Sequence, residues 1–328
     1  MGIDRTQMVT LKGHAAVLFP GQGAQALGMG LDVAAAEPAA AAVFDMAADV
    51  LGFDLREAIG GDDKSALDRT DVCQPAILVT SLAVMAALEA RELIVRERVS
   101  ACAGLSLGEY TALTWAGALA AEDAVRLVRA RGEAMQAASE ERASGMISLV
   151  GADDDSAQAV CDAAREDGVL VVANRLAPGQ IAIAGTTEAL DRAAPILRDH
   201  GIRKGVRLSV AGAFHSPCMA SASAALADAL AATTFTRPDV PVVMNVSAEA
   251  TDAPDVMTDL LQRQVTSTVL WHASMNTLLD GGVRSFFEPA PGAQLTNMLR
   301  RYDTETDVSA CGTAEALGEL PPWPKEAS

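Results

Sequence analysis

Aromatic residues and positive charge are both scarce in this chain of 328 residues. Only 4% of the residues are aromatic while 50% are hydrophobic, so we expect a globular protein with an aliphatic core. The 25 lysines and arginines are outnumbered by 43 acidic residues, which leaves a net charge of -18. Nucleic acids and anionic membranes attract positive protein surfaces, so this charge argues against both as partners.

The cysteines form no recognisable motif. The five of them are widely spaced and include no C-x-x-C pair, which indicates neither a disulfide framework nor a zinc site. Reduced thiols favour a cytoplasmic protein, and we expect no metal and no cofactor. The first dozen residues lack the apolar core of a signal peptide. The longest apolar stretches are interrupted by charges, which predicts no membrane span.

The order of the predicted elements divides the chain into two parts. Strands of the outer part are predicted at 14–19, 99–103, 240–246 and 283–288. They alternate with helical stretches, which is typical of an α/β domain. Residues 145–210 instead follow the order β-α-β-β-α-β of a ferredoxin-like unit. We therefore predict a main α/β domain, residues 1–141 and 211–328, interrupted by a small α+β domain, residues 142–210.

A serine lies between two glycines at 104–108, where the sequence reads G-L-S-L-G. This G-x-S-x-G pattern is weak by itself, but it follows a predicted strand and opens a predicted helix, as a nucleophile elbow requires. Ser106 is therefore the candidate nucleophile; the alternative is an ordinary turn residue. The amide of Leu107, in the first helical turn, is a candidate donor to an oxyanion.

A serine hydroxyl is a poor nucleophile without a base, and the chain has four histidines. His14 lies in an apolar strand, His200 at the end of a helix, and His272 in a predicted core segment, so structural roles explain them more simply. His215 lies where the chain returns from the small domain to the main one. Because a cleft opens at such a junction, we predict that His215 is the base.

The loop G-Q-G-A-Q-A at 21–26 has two possible roles. It satisfies the loose dinucleotide fingerprint G-x-G-x-x-G/A after a strand, but no second strand ending in an acidic residue follows about twenty residues later. The alternative is that the loop supplies an oxyanion amide, as the corresponding loop does in α/β-hydrolase-like enzymes.

Several motifs stand in order along nearly the whole chain. They are F-P-G-Q-G-A-Q at 19–25, Q-P-A-I at 74–77, G-L-S-L-G-E-Y at 104–110, R-L-V-R-A-R-G-E-A-M-Q at 126–136, P-G-Q-I-A-I-A-G at 178–185, G-A-F-H-S-P at 212–217 and E-P-A-P-G-A-Q-L at 288–295. With them the sequence resembles malonyl-CoA:acyl carrier protein transacylases and the related acyltransferase domains of polyketide synthases. The resemblance implies an α/β-hydrolase-like main domain with an inserted ferredoxin-like domain.

The resemblance also implies a Ser-His ping-pong mechanism. Ser106 would be acylated and His215 would be its base. The backbone carbonyl of Gln264 would hold the imidazole in place of a triad carboxylate. Amides of Gln22 and Leu107 would bind the oxyanion.

Further positions would recognise the substrate. Arg131 would clasp the free carboxylate of a malonyl group with a bidentate, charge-assisted pair, and Gln74 would line the pocket. Phe214 and Leu107 are similar to the residues of malonyl-selecting members, whereas methylmalonyl-selecting members tend to have a smaller residue before the histidine. Leu105, a further candidate substrate-binding residue, stands where many members have histidine. Asn174 would contact the substrate, although A-N-R-L-A-P-G-Q at 173–180 departs from the family's pattern.

The partners implied are a CoA thioester and an acyl carrier protein of fatty acid or polyketide biosynthesis. Carrier proteins are typically acidic, as this chain is, so their encounter needs local positive charge. The candidate carrier-binding residues are Arg203, Lys204, Arg207, Arg300 and Arg301. We expect a free-standing monomer. The alternatives are transfer of another acyl group, or hydrolysis of carrier-protein thioesters, which would not need Arg131.

Overall fold

The computed structural model describes residues 9–11 and 13–324. The prediction that the first dozen residues are not a signal peptide falls largely outside this range. The strands are β1 Ala15–Phe19, β2 Ala101–Gly104, β3 Ser144–Val150, β4 Leu170–Ala177, β5 Gln180–Thr186, β6 Lys204–Arg207, β7 Val242–Val243, β8 Ala250–Thr251, β9 Ser285–Pro289 and β10 Asp307–Cys311.

Fourteen α-helices lie among these strands in the described part of the chain. They are α1 Leu31–Ala36, α2 Pro38–Leu51, α3 Leu55–Gly60, α4 Lys64–Asp68, α5 Thr70–Ala90, α6 Leu107–Trp115, α7 Ala121–Glu141, α8 Asp154–Arg165, α9 Thr187–Ile196, α10 Ala220–Ala231, α11 Pro254–Gln264, α12 Trp271–Asp280, α13 Gln294–Leu299 and α14 Ala314–Glu319.

The larger sheet has six strands in the order β10-β9-β1-β2-β7-β8. All neighbours pair in parallel except β7 and β8, which form an antiparallel pair. Successive residues of β1 alternate between the cores on the two faces of the sheet: Val17 packs in one and Leu18 in the other. A strand buried on both faces reads as a continuous apolar run, which is why A-A-V-L-F could be recognised from the sequence.

The smaller sheet is antiparallel, in the order β4-β5-β3-β6. Its elements follow the predicted β-α-β-β-α-β order, and the strand order is that of a ferredoxin-like unit. Helix α8 begins with a capping box between Asp153 and Ser156, which explains the acidic and serine residues at this point of the sequence. The two sheets confirm the predicted fold class, while the exact domain boundaries stay a prediction.

The two faces of the small sheet have different neighbours. Ile147, Leu149 and Ile183 pack with the helices of the small domain itself. Met146 and Ala182, on the opposite face, belong to the core of the main domain. The small domain therefore packs against the main domain through its sheet. Strands β3, β4 and β5 line the space between the two domains.

Helix α5 corrects one prediction. Its 21 residues are long and apolar enough to span a membrane by length and composition, so the statement that charges interrupt every such stretch was wrong. However, 89% of its most apolar window is buried inside the protein. A central helix enclosed by other helices must be apolar all round, and this explains its composition.

Candidate active site

Ser106 occupies a strained bend between β2 and α6. Its φ is 53° and its ψ is -101°, a region that residues with a side chain seldom occupy. A Cβ atom on Gly104 would lie 1.9 Å from the carbonyl of Gly108, and one on Gly108 would lie 2.1 Å from the carbonyl oxygen of Phe19. Both glycines are therefore required for the chain to turn here, and the turn presents the serine at the carboxyl end of β2.

The bend is held from a distant part of the chain. The side chain of Asn245 accepts a hydrogen bond from the amide of Ser106 at 2.7 Å and donates one to the carbonyl of Gly104 at 2.7 Å. Asn245 follows β7, the neighbour of β2 in the sheet. The two strands thus place the clamp beside the bend, and these two hydrogen bonds help to offset its strain.

His215 contacts the serine directly. Its Nε2 lies 2.8 Å from Ser106 Oγ, and its Nδ1 lies 2.8 Å from the backbone carbonyl oxygen of Gln264. A carbonyl can only accept, so Nδ1 carries the proton and Nε2 is left to accept from the serine hydroxyl. Burial, helped by the charge of Arg131 and opposed by the Gln264 carbonyl, lowers the pKa of His215 to about 4. The imidazole is therefore neutral and ready to act as a base.

Arg131 lies deep in the same site. It is 1% exposed, and burial lowers its pKa from the ordinary value. Its Nη2 donates to Ser106 Oγ at 3.1 Å and to Gln264 Oε1 at 2.9 Å, while Nη1 donates to Gln74 Oε1 at 2.6 Å. The guanidinium also lies 5.4 Å from the ring centre of Tyr110. A fixed, desolvated cation beside a nucleophile is suited to bind a carboxylate.

The loop after β1 lies against the nucleophile bend. A Cβ atom on Gly21 would be 2.3 Å from the carbonyl oxygen of Leu105. The loop is fixed at Gly23, whose carbonyl accepts from Gln294 Nε2 at 2.9 Å. Leu107 is the first residue of α6, so its amide has no intrahelical partner. Gln22 thus lies in a loop that packs against the bend, and Leu107 follows the serine directly; their role as oxyanion donors stays a prediction.

A cavity of about 480 Å³ opens over these residues. Seven predicted site residues line it: Gln22, Leu105, Ser106, Arg131, Asn174, Phe214 and His215. Gln74, Leu107 and Gln264 do not line it and are completely buried. The prediction that Gln74 lines the pocket is thus wrong, because this side chain lies behind Arg131 and supports it.

Residues 17–322 match the family model for an acyl transferase domain. The chain belongs to the acyl transferase family. This acyl transferase is 36% identical to the malonyl CoA-acyl carrier protein transacylase of Bacillus subtilis over 304 residues, which cover 92% of the chain and 94% of the relative. It is also 36% identical to that of Escherichia coli over 302 residues, which cover 92% of the chain and 97% of the relative. The resemblance noted in the sequence is thereby confirmed.

Solved structures agree with the family assignment. The acyl-carrier-protein S-malonyltransferase of Bartonella henselae has a TM-score of 0.89 at 35% identity, and the match covers 93% of this chain and 98% of that one. A second structure contains a type II polyketide synthase acyl-carrier protein in complex with its malonyl-transacylase. Here the TM-score is 0.89 at 32% identity, and the match covers 94% and 99% of the chains.

Three site residues of the acyl transferase were missed in the sequence. Asn245 clamps the bend, Glu109 hydrogen-bonds to Asn245 and to Gln264, and Tyr110 faces Arg131. Asn245 is a polar residue in a predicted strand that is otherwise apolar, and Glu109 is a single acid near the start of an apolar helix. These mismatches were the available signals, but neither indicates which side chain is the partner.

The other histidines of the acyl transferase lie away from the nucleophile. His14 precedes β1 by one residue instead of lying within the strand, and His200 follows α9. His272 lies in α12 with its ring 5.3 Å from that of Tyr302. The described residues between β1 and β2 contain no strand, so the loop at 21–26 lacks the second strand that a dinucleotide-binding unit needs.

The predicted carrier-binding residues occupy two places. Arg203, Lys204 and Arg207 line a separate cavity of about 240 Å³ on the small domain, and Arg207 pairs with Asp191. Arg300 and Arg301 follow α13, and Arg300 donates to the carbonyl of Val308. None of the five lines the active-site cavity itself, although Leu208, next to Arg207, and Met298, near Arg300, do, so carrier binding by these residues stays a prediction. Among the described residues, no group of three or more His, Cys, Asp or Glu side chains could hold a metal ion.

Proposed function

We propose that this acyl transferase moves a malonyl group from CoA to the phosphopantetheine thiol of an acyl carrier protein. The observation that carries the proposal is the buried Arg131 guanidinium, 3.1 Å from Ser106 Oγ inside the cavity. It supports an acyl group that ends in a carboxylate. The names of the relatives, and the complex of one of them with a carrier protein, agree with this substrate and this partner.

The first half-reaction loads the serine. Ser106 Oγ attacks the thioester carbonyl carbon while His215 Nε2 takes the hydroxyl proton. The amides of Gln22 and Leu107 stabilise the oxyanion that forms. The bond to the CoA sulfur then breaks, and the departing thiolate receives the proton from the imidazolium. In the second half-reaction the carrier thiol repeats these steps in reverse, which frees the serine.

The Gln264 carbonyl replaces the carboxylate of a triad. A carbonyl fixes the tautomer of His215 but carries no full charge, so it raises the pKa of the imidazole less than burial lowers it. We infer that the oxyanion donors and the position of the thioester supply much of the catalysis. Arg131 contributes by holding the malonyl carboxylate, which keeps the acyl carbonyl beside Ser106.

The walls of the cavity favour malonyl over its branched relatives. Phe214 and Leu105 flank the dyad and line the cavity. Phe214 is only 5% exposed, so its ring forms a buried part of the wall, and we expect it to crowd an added methyl group. One methyl group gives discrimination of only about 1–3 kcal/mol, so methylmalonyl-CoA should be a slow substrate that still reacts.

The acyl carrier protein is proposed to dock across the cavity mouth. Its negative surface would meet Arg207 on the small domain and Arg300 on the main one, which neighbour in the chain the cavity-lining residues Leu208 and Met298. All five cysteines are free thiols, which supports the expected reducing cytoplasm. The monomeric state stays a prediction.

Intact-protein mass spectrometry tests the proposed function. Incubation with malonyl-CoA is expected to add one malonyl group, whereas Ser106→Ala protein should stay unmodified. A carrier protein bearing phosphopantetheine should then remove the adduct and gain its mass. If acetyl-CoA loads Ser106 faster than malonyl-CoA does, the proposed acyl group is wrong. If adding the carrier protein yields free malonate instead of malonylated carrier, the protein is a hydrolase.

A further inference from the structure

Glu109 is a buried carboxylate one turn beyond the nucleophile. It is completely buried and it does not line the cavity. Its Oε1 accepts a hydrogen bond from the amide of Asn245, and its Oε2 accepts one from Gln264 Nε2. The steps proposed above give this group no role, although an unneeded buried carboxylate is costly.

The contact with Asn245 supports the bend. The Asn245 side chain bonds to Ser106 and Gly104 on the two sides of the strained residue. Its backbone amide is occupied by Glu109. Glu109 therefore fixes Asn245, and Asn245 in turn fixes the bend at Ser106.

The contact with Gln264 reaches every other group of the site. Gln264 Nε2 donates to the Ser106 carbonyl at 2.9 Å, and Oε1 accepts from Arg131 at 2.9 Å. Its backbone carbonyl accepts from His215 Nδ1 at 2.8 Å. One residue thus touches the nucleophile, the base and the guanidinium, and the direction in which its amide points matters for all three.

We propose that Glu109 is a positioning residue that fixes the Gln264 amide and, through it and Asn245, the relative places of Ser106, His215 and Arg131. A carboxylate accepts at both oxygens, so it satisfies both N–H groups that face it. A glutamine at position 109 has only one acceptor, and its NH₂ group would then face an N–H donor in either orientation. The inference rests on the proposed function only for the identity of the acyl group.

The ionisation of Glu109 gives the proposal a pH signature. Burial raises the pKa of Glu109 to about 8, opposed by the amide of Asn245, the side chain of Gln264 and the charge of Arg131 on α7. Tyr110 on α6, whose pKa is raised to about 12, stays neutral over this range. Only the ionised form has two full acceptors, so the site should tighten as the pH rises through about 8. The pKa of His215 is about 4, so the base does not titrate there.

The test uses a fluorophosphonate, which reads the nucleophile without needing a malonyl group. Ser106 Oγ bonds to phosphorus, fluoride leaves, and His215 takes the hydroxyl proton. We expect the Glu109→Gln protein to react about tenfold more slowly than wild type at pH 9, which corresponds to a transition state destabilised by about 1.4 kcal/mol. The ratio should shrink at pH 6.5, where wild-type Glu109 is protonated. Rates are read by intact-protein mass spectrometry.

Glu288 provides a matched control. It is completely buried, and its two oxygens accept from the amides of Leu295 and Thr296 at 3.1 and 2.8 Å. The Glu288→Gln change therefore creates the same conflict between N–H donors, but at the start of α13, which reaches the site only through Gln294 and the loop after β1. It should lower the unfolding midpoint by a similar amount but slow phosphonylation clearly less than Glu109→Gln does.

Three outcomes would overturn the proposal. They are a wild-type rate in the Glu109→Gln protein at pH 9, a loss that is the same at both pH values, or an equal loss in the Glu288→Gln protein. Should the Glu109→Gln protein fail to fold, Gln264→Met replaces it, because it keeps the carbonyl for His215 but removes the amide; a wild-type rate there refutes the proposal. Wild-type protein that reacts with the phosphonate but not with malonyl-CoA would refute the proposed function alone.

Discussion

Arg131 is held in place before any substrate binds. Its two terminal nitrogens donate to Gln74, Gln264 and Ser106 Oγ, and it is 1% exposed. A cation so fixed and desolvated does not adapt to its ligand; the ligand's carboxylate must reach it. Because a buried charge is costly when unpaired, the pair with a carboxylate is worth more here than at the surface.

Replacing Arg131 should change the choice of acyl group. We expect Arg131→Ala to lower the rate of Ser106 loading from malonyl-CoA by about a hundredfold or more, since the pair that is lost is buried and charge-assisted. Loading from acetyl-CoA should fall much less. Initial rates with the two thioesters, measured by intact mass, give the ratio. An unchanged malonyl-to-acetyl ratio would contradict the proposed role of the guanidinium.

The identity of the central residues could be predicted, but their supports could not. Ser106 and His215 were found from a short motif and from the place of a domain junction. Gln74 was placed on the pocket surface, whereas it lies behind Arg131. Glu109 lies within the motif at 104–110 but had no predicted role, and Asn245 lies in no motif, because the requirement they meet is a set of hydrogen bonds between distant segments. Such a requirement is visible only once the two strands are neighbours.

The strand-bend-helix element around Ser106 stores strain. The positive φ of 53° costs a residue with a Cβ atom about 1–3 kcal/mol, and glycine is free of this cost. The bend persists because Asn245 hydrogen-bonds to it and because Gly104 and Gly108 allow the close backbone contacts that it requires.

Two substitutions of Ser106 should separate strain from chemistry. Both Ser106→Gly and Ser106→Ala remove the hydroxyl and abolish loading. Elsewhere Gly is less stable than Ala because it loses more entropy on folding, but here we expect the Gly protein to be at least as stable, since it releases the strain. Chemical denaturation of the two proteins measures the difference. A clearly more stable Ala protein would show that the bend is unstrained.

Elements with local patterns were predicted best. The strands and helices of the small domain pair with near neighbours, and the β-α-β-β-α-β order predicted for residues 145–210 agrees with the structure. In the main sheet, the strand predicted at 240–246 is only Val242–Val243, and β8 and β10 were not foreseen. These edge elements are set by their pairing partners and have little apolar pattern of their own.

Charge is distributed unevenly over the whole molecule. The chain carries a net charge of -18, yet four basic residues, Arg198, Arg203, Lys204 and Arg207, line one cavity of the small domain. Long-range repulsion of an acidic partner is thus relieved at this face, and this should help to orient the encounter.

Charge reversal on this face should weaken transfer to the carrier protein. For the Arg203→Glu, Lys204→Glu double variant we expect the KM for carrier protein to rise about tenfold at low salt, and the difference should shrink as salt is added. Arg237→Glu is the control, because Arg237 precedes β7 and so lies at the sheet edge opposite Ser106. The control changes the net charge by half as much, so a control effect of half the size on log KM would assign the loss to net charge instead of to this face.

The clamp on the bend has a consequence for how the protein forms during synthesis. Asn245 lies 139 residues after Ser106, and the complete small domain lies between them. When the ribosome has made the first half of the chain, Ser106 has been synthesised but Asn245 has not. The small domain, whose contacts are local, can collapse early, whereas long-range closure is slow. We therefore expect the bend to gain its support only after the small domain and Asn245 have both been made.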